Sequence, residues 1–350
     1  MPSLLESARR YAALAAAVLR ARRGPFDPFK LTWILTERCS LTCATCRLWA
    51  GAPHAGPSLD EIDAVLAANR HLTWLNLSGG DLVERPDAPA ILERCARLPD
   101  LALLDFPTAG QDTRATLAAL EPALESDVPR LLVTVSLDGP DEVHDRVRGR
   151  RGAAARARAT LRALQRLRRP GLSVYAGQTL SRANLPPEAA QDPRRWLPDG
   201  VAPRDVHLNL AHHSTHYYRN AAQVAPPAEA ALAMVAEVAR ARRASLSPVD
   251  LIERRYWQRA ERFLREGDAG LRCGALRASI FLAADLTVYP CSIFDRPLGR
   301  LADIGYALRR VPELPGAREA LGEVQAGACP RCWSPCEAFP TLLLQLGRGA

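Results

Sequence analysis

From Leu31 to about residue 248 the chain alternates short runs of apolar and β-branched residues with longer runs of alanine, leucine and arginine. A short apolar run between polar turns reads as a buried strand, and a run with apolar positions every three or four residues reads as an amphipathic helix. Strands are expected near 31–35, 72–77, 101–106, 131–137, 172–179 and 205–210. Helices are expected near 58–70, 87–97, 111–124, 152–168 and 186–196, with a further one at 227–244. The helix at 58–70 carries a start signal, because Ser58 can cap it and Glu61 follows three residues later. Alternation of this kind builds a parallel sheet, so the class is α/β, and six repeats make a partial (β/α)6 barrel over residues 30–248. Chemistry in such barrels lies at the C-terminal ends of the strands.

Two flanking regions depart from this rhythm. Residues 1–29 carry the apolar run Tyr11 to Leu19, flanked by Arg9, Arg10, Arg20, Arg22 and Arg23. That run is far shorter than the ~20 residues that cross a bilayer, so it reads as an amphipathic helix packed on the barrel. Peripheral membrane contact through residues 1–24 is the lesser reading. From residue 249 to 350 the alternation stops and a small cysteine-rich domain is expected, built from a β-hairpin and a helix.

Composition narrows the partners. A hydrophobic content of 48% with 24% charged residues is that of a soluble globular chain. The net charge of +8 would suit nucleic acid, but Lys30 is the lone lysine and the arginines are scattered among alanines, which reads as compositional bias. The densest basic run, Arg146 to Arg169, reads as a solvated helix face, so no nucleic-acid partner is expected. No export signal precedes the nine cysteines, which group as three, one and five. That grouping points to cofactor ligation in a reducing cytoplasm, with Cys95 as a buried small hydrophobe.

The chemistry starts at residues 36–49, TERCSLTCATCRLW, where Cys39, Cys43 and Cys46 stand in the spacing C-x3-C-x2-C directly after the first strand. Three thiolates on a four-iron cluster leave one iron free for another ligand. A structural zinc would want a fourth close ligand, which Arg47, Leu48 and Trp49 do not supply. The spacing and its place resemble the radical S-adenosylmethionine (SAM) superfamily. The resemblance implies a TIM-like partial barrel, a [4Fe-4S] cluster chelated by SAM, and reductive cleavage of SAM to a 5'-deoxyadenosyl radical that takes a substrate hydrogen. It also implies an electron donor such as flavodoxin or ferredoxin.

Further stretches extend the resemblance. Ser78-Gly79-Gly80-Asp81 after strand two is similar to the superfamily's GGE motif, whose backbone holds the SAM amino group, with Asp81 in place of glutamate. Ser136-Leu137-Asp138-Gly139 and the segment Asp141 to Gly149 resemble its SLDG…HD…RG pattern, which implies SAM contacts for Ser136 and Arg148. Guanidinium can pair bidentately with a carboxylate. An aromatic residue usually precedes the third cysteine, and here Thr45 stands there, which leaves Trp49 or another ring to stack on adenine.

In the tail, Cys273 and Cys291 bracket a hairpin, and Cys329, Cys332 and Cys336 follow in CPRCWSPC. This order resembles the twitch and SPASM domains, which carry auxiliary [4Fe-4S] clusters, and five cysteines suffice for one such cluster. The nearest pattern is that of the amino-inositol dehydrogenases of aminoglycoside biosynthesis, which implies Cys273, Cys291, Cys329 and Cys332 as ligands and Cys336 as the spare. Glycine usually stands five residues before the second hairpin cysteine, and Leu286 there implies a different turn. By residues alone a zinc ribbon fits the tail equally.

The function expected is that of a radical SAM oxidoreductase acting on a peptide or a small molecule. Peptide maturation is the commonest task the resemblance implies, but residues 1–30 are too few for a separate leader-peptide-binding domain, which makes a small molecule such as a sugar or cyclitol a serious alternative. The alternative is a non-catalytic zinc or iron-sulfur protein that binds nucleic acid through its basic surface. Four of seven histidines fall at His207, His212, His213 and His216, beside Tyr217 and Tyr218. His207 reads as a core residue of strand six. His212, His213 and His216 are candidate general bases and Tyr217 a substrate partner, because their loop follows the last barrel strand.

Overall fold

The structure is a computed structural model that describes residues 3–185, 193–242 and 248–346. Six parallel strands form its centre: β1 (Lys30–Thr36), β2 (Trp74–Gly79), β3 (Leu103–Thr108), β4 (Arg130–Ser136), β5 (Leu172–Leu180) and β6 (Val206–Leu210). They lie in sequence order across an unclosed sheet, and each strand ends within two residues of its expected limits. Helices α1 (Leu4–Arg23), α2 (Leu59–Ala68), α3 (Ala88–Ala96), α4 (Thr113–Glu125), α5 (Asp141–Arg148), α6 (Ala153–Gln165) and α7 (Ala228–Ala241) flank the strands in the chain. Ser58 Oγ accepts the Glu61 amide, and the Glu61 carboxylate accepts the Ser58 amide in return. The core between sheet and helices holds Trp33, Leu75, Leu77, Phe106, Val133 and Ala176, all sealed from solvent.

Three elements differ from the sequence reading. Residues 141–148, read as a motif after a turn, form helix α5, which ends at Gly149 in a left-handed conformation at φ 65°. Of the helix expected at 186–196, residues 186–192 lie outside the described residues, and Pro193–Arg195 form a single 3-10 turn. Where the tail was expected to begin, a 19-residue helix, α8 (Pro248–Glu266), precedes the hairpin and was not foreseen.

The tail continues the barrel sheet. Strand β7 (Ser279–Leu282) pairs in parallel with β1, in the register Lys30↔Ser279 to Trp33↔Leu282, and β8 (Thr287–Tyr289) and β9 (Gly299–Arg300) extend it antiparallel. At the β7–β8 turn Leu286 adopts φ 65°, the left-handed conformation that glycine favours. Strain of ~1–2 kcal/mol for a side chain in that region is of the order that burying a leucine returns, and Leu286 is 2% exposed. Helices α9 (Ala317–Ala326) and α10 (Pro335–Gln345) complete the chain, with the buried face of α1 (Ala17, Val18 and Ala21) in one apolar cluster with Leu344 of α10.

Candidate active site

The loop after β1 is fixed from two sides before its cysteines are considered. Helix α5 presents its last carbonyls to it, and the Thr42 and Ala44 amides donate to the Arg148 and Val147 oxygens at 3.2 and 2.8 Å. Gly149 is needed at that junction, because a Cβ there would lie 2.1 Å from Thr42 Oγ1. On the other side, the Gly80 amide donates to Thr36 O and the Asp81 amide to Arg38 O. A Cβ on Gly80 would sit 1.9 Å from Arg38 O, so this glycine lets β2 end against the start of the cysteine loop.

A cavity of about 210 Å³ opens at the C-terminal ends of the strands, and its wall contains Cys39, Cys43 and Cys46 together with Ser78, Gly79, Gly80, Ser136 and Arg148. Burial pushes the Cys39 and Cys46 thiols up to about 12 and about 11. A thiol shifted in this way gives up its proton when a metal ion binds the sulfur, so Cys39 and Cys46 suit a metal centre. All nine cysteines are free, so no disulfide competes for them. Among the described residues no three histidine, cysteine or acidic side chains converge on the position of a single ion.

Arg148 brings the positive charge. Its Nε donates to Asp138 Oδ2 at 2.6 Å and a terminal nitrogen reaches Cys43 Sγ at 3.9 Å. Asp138 is sealed from solvent, its amide donates to His144 Nδ1, and its Oδ1 accepts the Thr179 amide. Loss of hydration is the largest single effect on Arg148 and lowers its pKa, but the Asp138 charge, Cys43 and the hydrogen bonds to both together outweigh it and hold the pKa above the ordinary range. Asp81 stands outside the cavity wall and ties β2 to β3, accepting from Thr108 Oγ1 and from the Ala109 amide at 2.9 Å. Burial raises that carboxyl to about 6.

The histidine-rich loop is divided by the fold. His212 and Tyr217 line the cavity, with Tyr217 Oη 2.8 Å from Ser78 Oγ. His212 Nε2 accepts the Trp333 amide at 3.2 Å, and burial lowers its pKa to about 4, which keeps it neutral. His213 is exposed. His216 stacks on Tyr289 at 4.3 Å between centroids, with Nε2 3.1 Å from Cys291 O, toward the tail. His207 packs beside Tyr256 and Phe339, whose rings stack on each other at 4.8 Å between centroids. Sequence reasoning passed over Asn209 and Tyr218, which also line the cavity. The alternation in Val206-His207-Leu208-Asn209-Leu210 was the available signal for Asn209, since it puts His207 and Asn209 on one face.

A second cavity, of about 310 Å³, collects Cys273, Cys291, Cys329 and Cys332 in its wall, while Cys336 lies outside it. Amides surround these sulfurs: Cys273 Sγ accepts from Ala275, and Cys291 Sγ from Ile293 and Phe294. Burial pushes the Cys332 thiol up to about 12 and those of Cys273 and Cys291 well above the usual range. Four thiols in an apolar shell with Ala275, Ile293 and Val324 fit an iron-sulfur centre by donor chemistry. Tyr218 packs against this shell and also lines the first cavity.

No family model matches the chain. Over 144 residues it is 32% identical to the antilisterial bacteriocin subtilosin biosynthesis protein AlbA of Bacillus subtilis (strain 168), a match that covers 39% of this chain and 30% of that protein. Among solved structures, SuiB of Streptococcus suis bound to S-adenosylmethionine superposes with a TM-score of 0.51 at 13% identity, over 80% of this chain and 65% of SuiB. SuiB bound to its precursor peptide SuiA gives a TM-score of 0.53 at 12% identity, over 85% and 68%. The enzyme anSMEcpe with bound AdoMet and a Cp18Cys peptide gives 0.54 at 12% identity, over 85% and 83%. The likeness to these solved structures is one of fold, an open parallel α/β barrel, which in this chain carries a three-cysteine loop at its mouth. The chain spans less than a third of the length of AlbA. Among the described residues no helix is long and apolar enough to cross a membrane.

Proposed function

We propose that the protein is a cytoplasmic radical SAM oxidoreductase that modifies a peptide, with one [4Fe-4S] cluster on Cys39, Cys43 and Cys46 and an auxiliary [4Fe-4S] cluster in the second cavity. The observation that carries the proposal is the pair of thiol-lined cavities, one at the strand ends and one in the tail, with Tyr218 lining the first and packed against the apolar shell of the second. When bound, SAM and the two clusters supply a 5'-deoxyadenosyl radical and an acceptor for the electron left on the oxidised substrate.

This chain's residues do the rest. Arg148, held by Asp138, offers its remaining N–H groups to the SAM carboxylate. The Gly79 and Gly80 backbone and Ser136 bind the other polar groups of SAM, and Trp49 at the cavity wall stacks on adenine. Tyr217, with its hydroxyl shared by Ser78, and His212 face the substrate and exclude water around it. Because His212 is neutral with Nε2 already engaged, it orients substrate; His216 has its ring turned to the tail, and His213 stands in solvent. A peptide is the favoured substrate because SuiB is seen with a precursor peptide and AlbA serves bacteriocin biosynthesis. A low-potential donor such as flavodoxin or ferredoxin supplies the electron.

Anaerobic reconstitution tests the proposal: about eight irons per chain and no zinc are expected, with 5'-deoxyadenosine formed from SAM under dithionite. The Cys39, Cys43 and Cys46 triple alanine variant should lose SAM cleavage and keep about four irons. If that variant still forms 5'-deoxyadenosine, the assignment fails.

A further inference from the structure

The loop from His212 to Asn220, between β6 and α7, is bonded to both cysteine regions at once. Toward the three-cysteine loop, the Arg47 amide donates to Tyr218 O at 2.8 Å and Asn220 Nδ2 donates to Thr45 O at 2.9 Å, so both chain neighbours of Cys46 are held. Toward the tail, Ser214 Oγ donates to Ser292 O at 2.7 Å, His216 Nε2 stands 3.1 Å from Cys291 O, and His212 Nε2 accepts the Trp333 amide at 3.2 Å. These tail groups lie on, or next in the chain to, Cys291 and Cys332 in the wall of the second cavity. Asn220 joins the two sides, because its Nδ2 also donates to His212 O at 3.0 Å and its Oδ1 accepts the Ser214 amide at 3.0 Å. An aspartate of the same shape would set a carboxylate against two carbonyl oxygens, so the position calls for asparagine. A line of hydrogen bonds therefore runs from Thr45 O through Asn220 and Ser214 to Ser292 O.

Both residues of that line are buried, Asn220 at 7% and Ser214 at 1% exposure, and Asn220 has both amide hydrogens committed to the frame although it stands in the wall of the first cavity. We propose that Asn220 and Ser214 are positioning residues that couple the two cysteine sites, so that a filled tail cavity tightens SAM binding at the three-cysteine loop. This rests on the two-cluster reading above and adds to it a route by which one site acts on the other. Iron on Cys291 and Cys332 fixes the loops that carry Ser292 and Trp333. Without it those loops gain freedom, and the 212–220 loop loses the anchor that sets Thr45 and Arg47 around Cys46. Coupling of this kind is reciprocal, so SAM in turn steadies the tail centre.

The test is equilibrium dialysis of labelled SAM, with iron analysis, on the anaerobically reconstituted full chain as wild type, Ser214→Ala, Cys273→Ala and the double variant. Ser214 lies outside the wall of the first cavity, so an effect on SAM must be transmitted. Ser214→Ala should keep about eight irons and weaken SAM binding about tenfold. Cys273→Ala empties the tail cavity without touching the bridging bonds; with about four irons it should weaken binding by a similar factor. The double variant should bind no more weakly than Cys273→Ala, because the bridge then has nothing to transmit. Should Ser214→Ala not fold, Asn220→Ala takes its place in the same cycle. A bridge variant that binds SAM as tightly as the wild type at about eight irons overturns the proposal, as does a double variant whose losses multiply to about a hundredfold. A wild type that holds only about four irons, or binds no SAM, fails the two-cluster reading itself and this inference with it.

Discussion

The Arg148–Asp138 pair is the point where stability and the proposed SAM binding meet, and its worth can be separated by a double-variant cycle. Asp138 is fully buried and Arg148 nearly so at 15% side-chain exposure, with 2.6 Å between Nε and Oδ2. Removing one partner of such a pair strands a charge, so Arg148→Ala should cost about 3–5 kcal/mol, since Asp138 keeps only the Thr179 amide as a donor. Adding Asp138→Asn removes the stranded charge, and the double variant should recover about 2 kcal/mol relative to Arg148→Ala alone. Urea unfolding of the metal-free chain, followed by far-ultraviolet circular dichroism, measures both without interference from cluster loss. Arg148→Lys, which keeps the charge but not the fork, should weaken SAM binding to the reconstituted protein while leaving most of the stability. The reasoning is refuted if the double variant is no more stable than Arg148→Ala, because the cost would then come from lost packing and not from an uncompensated carboxylate.

Two further outcomes follow from the same structure. Cys336→Ala should keep full iron content, because Cys336 lies outside the second cavity, whereas Cys273→Ala should lose about four irons; a loss of four with Cys336→Ala would make it a ligand. His71, His144, His207 and His212 are held neutral by burial, each with its pKa lowered to about 4. Unfolded histidine titrates near 6.5, so stability is present above that pH and is lost as pH falls toward 4, by up to about 1.4 kcal/mol per pH unit for each. His207→Phe should flatten this slope by one histidine's share, and a urea midpoint that is constant from pH 7 to 4 would contradict the burial reading.

What the sequence by itself determined is whatever local periodicity and spacing can encode. The six strands and most helices of the barrel follow from alternation of apolar runs, and Cys39, Cys43 and Cys46 fall within reach of one centre because eight residues of chain cannot separate them. Placing that loop after β1 put it at the catalytic end without any knowledge of packing. Helix α5 was not legible, because Asp141–Arg148 is short and charged and an isolated helix of that length is marginal. It exists where His144 packs under the Asp138 amide and the cysteine loop takes its C-terminal carbonyls. Nor could spacing tell Cys332 from Cys336 as cavity residues: only the seating of α10 puts Cys332 and Glu337 on the second cavity and leaves Cys336 outside it. The pairing of β7 with β1, some 250 residues apart in the chain, decides that seating, since it sets Ser279 against Glu337 and the tail's thiols beside Tyr218. Contacts of that range depend on which sheet edge is free when the tail arrives, and no local pattern in residues 279–282 records it.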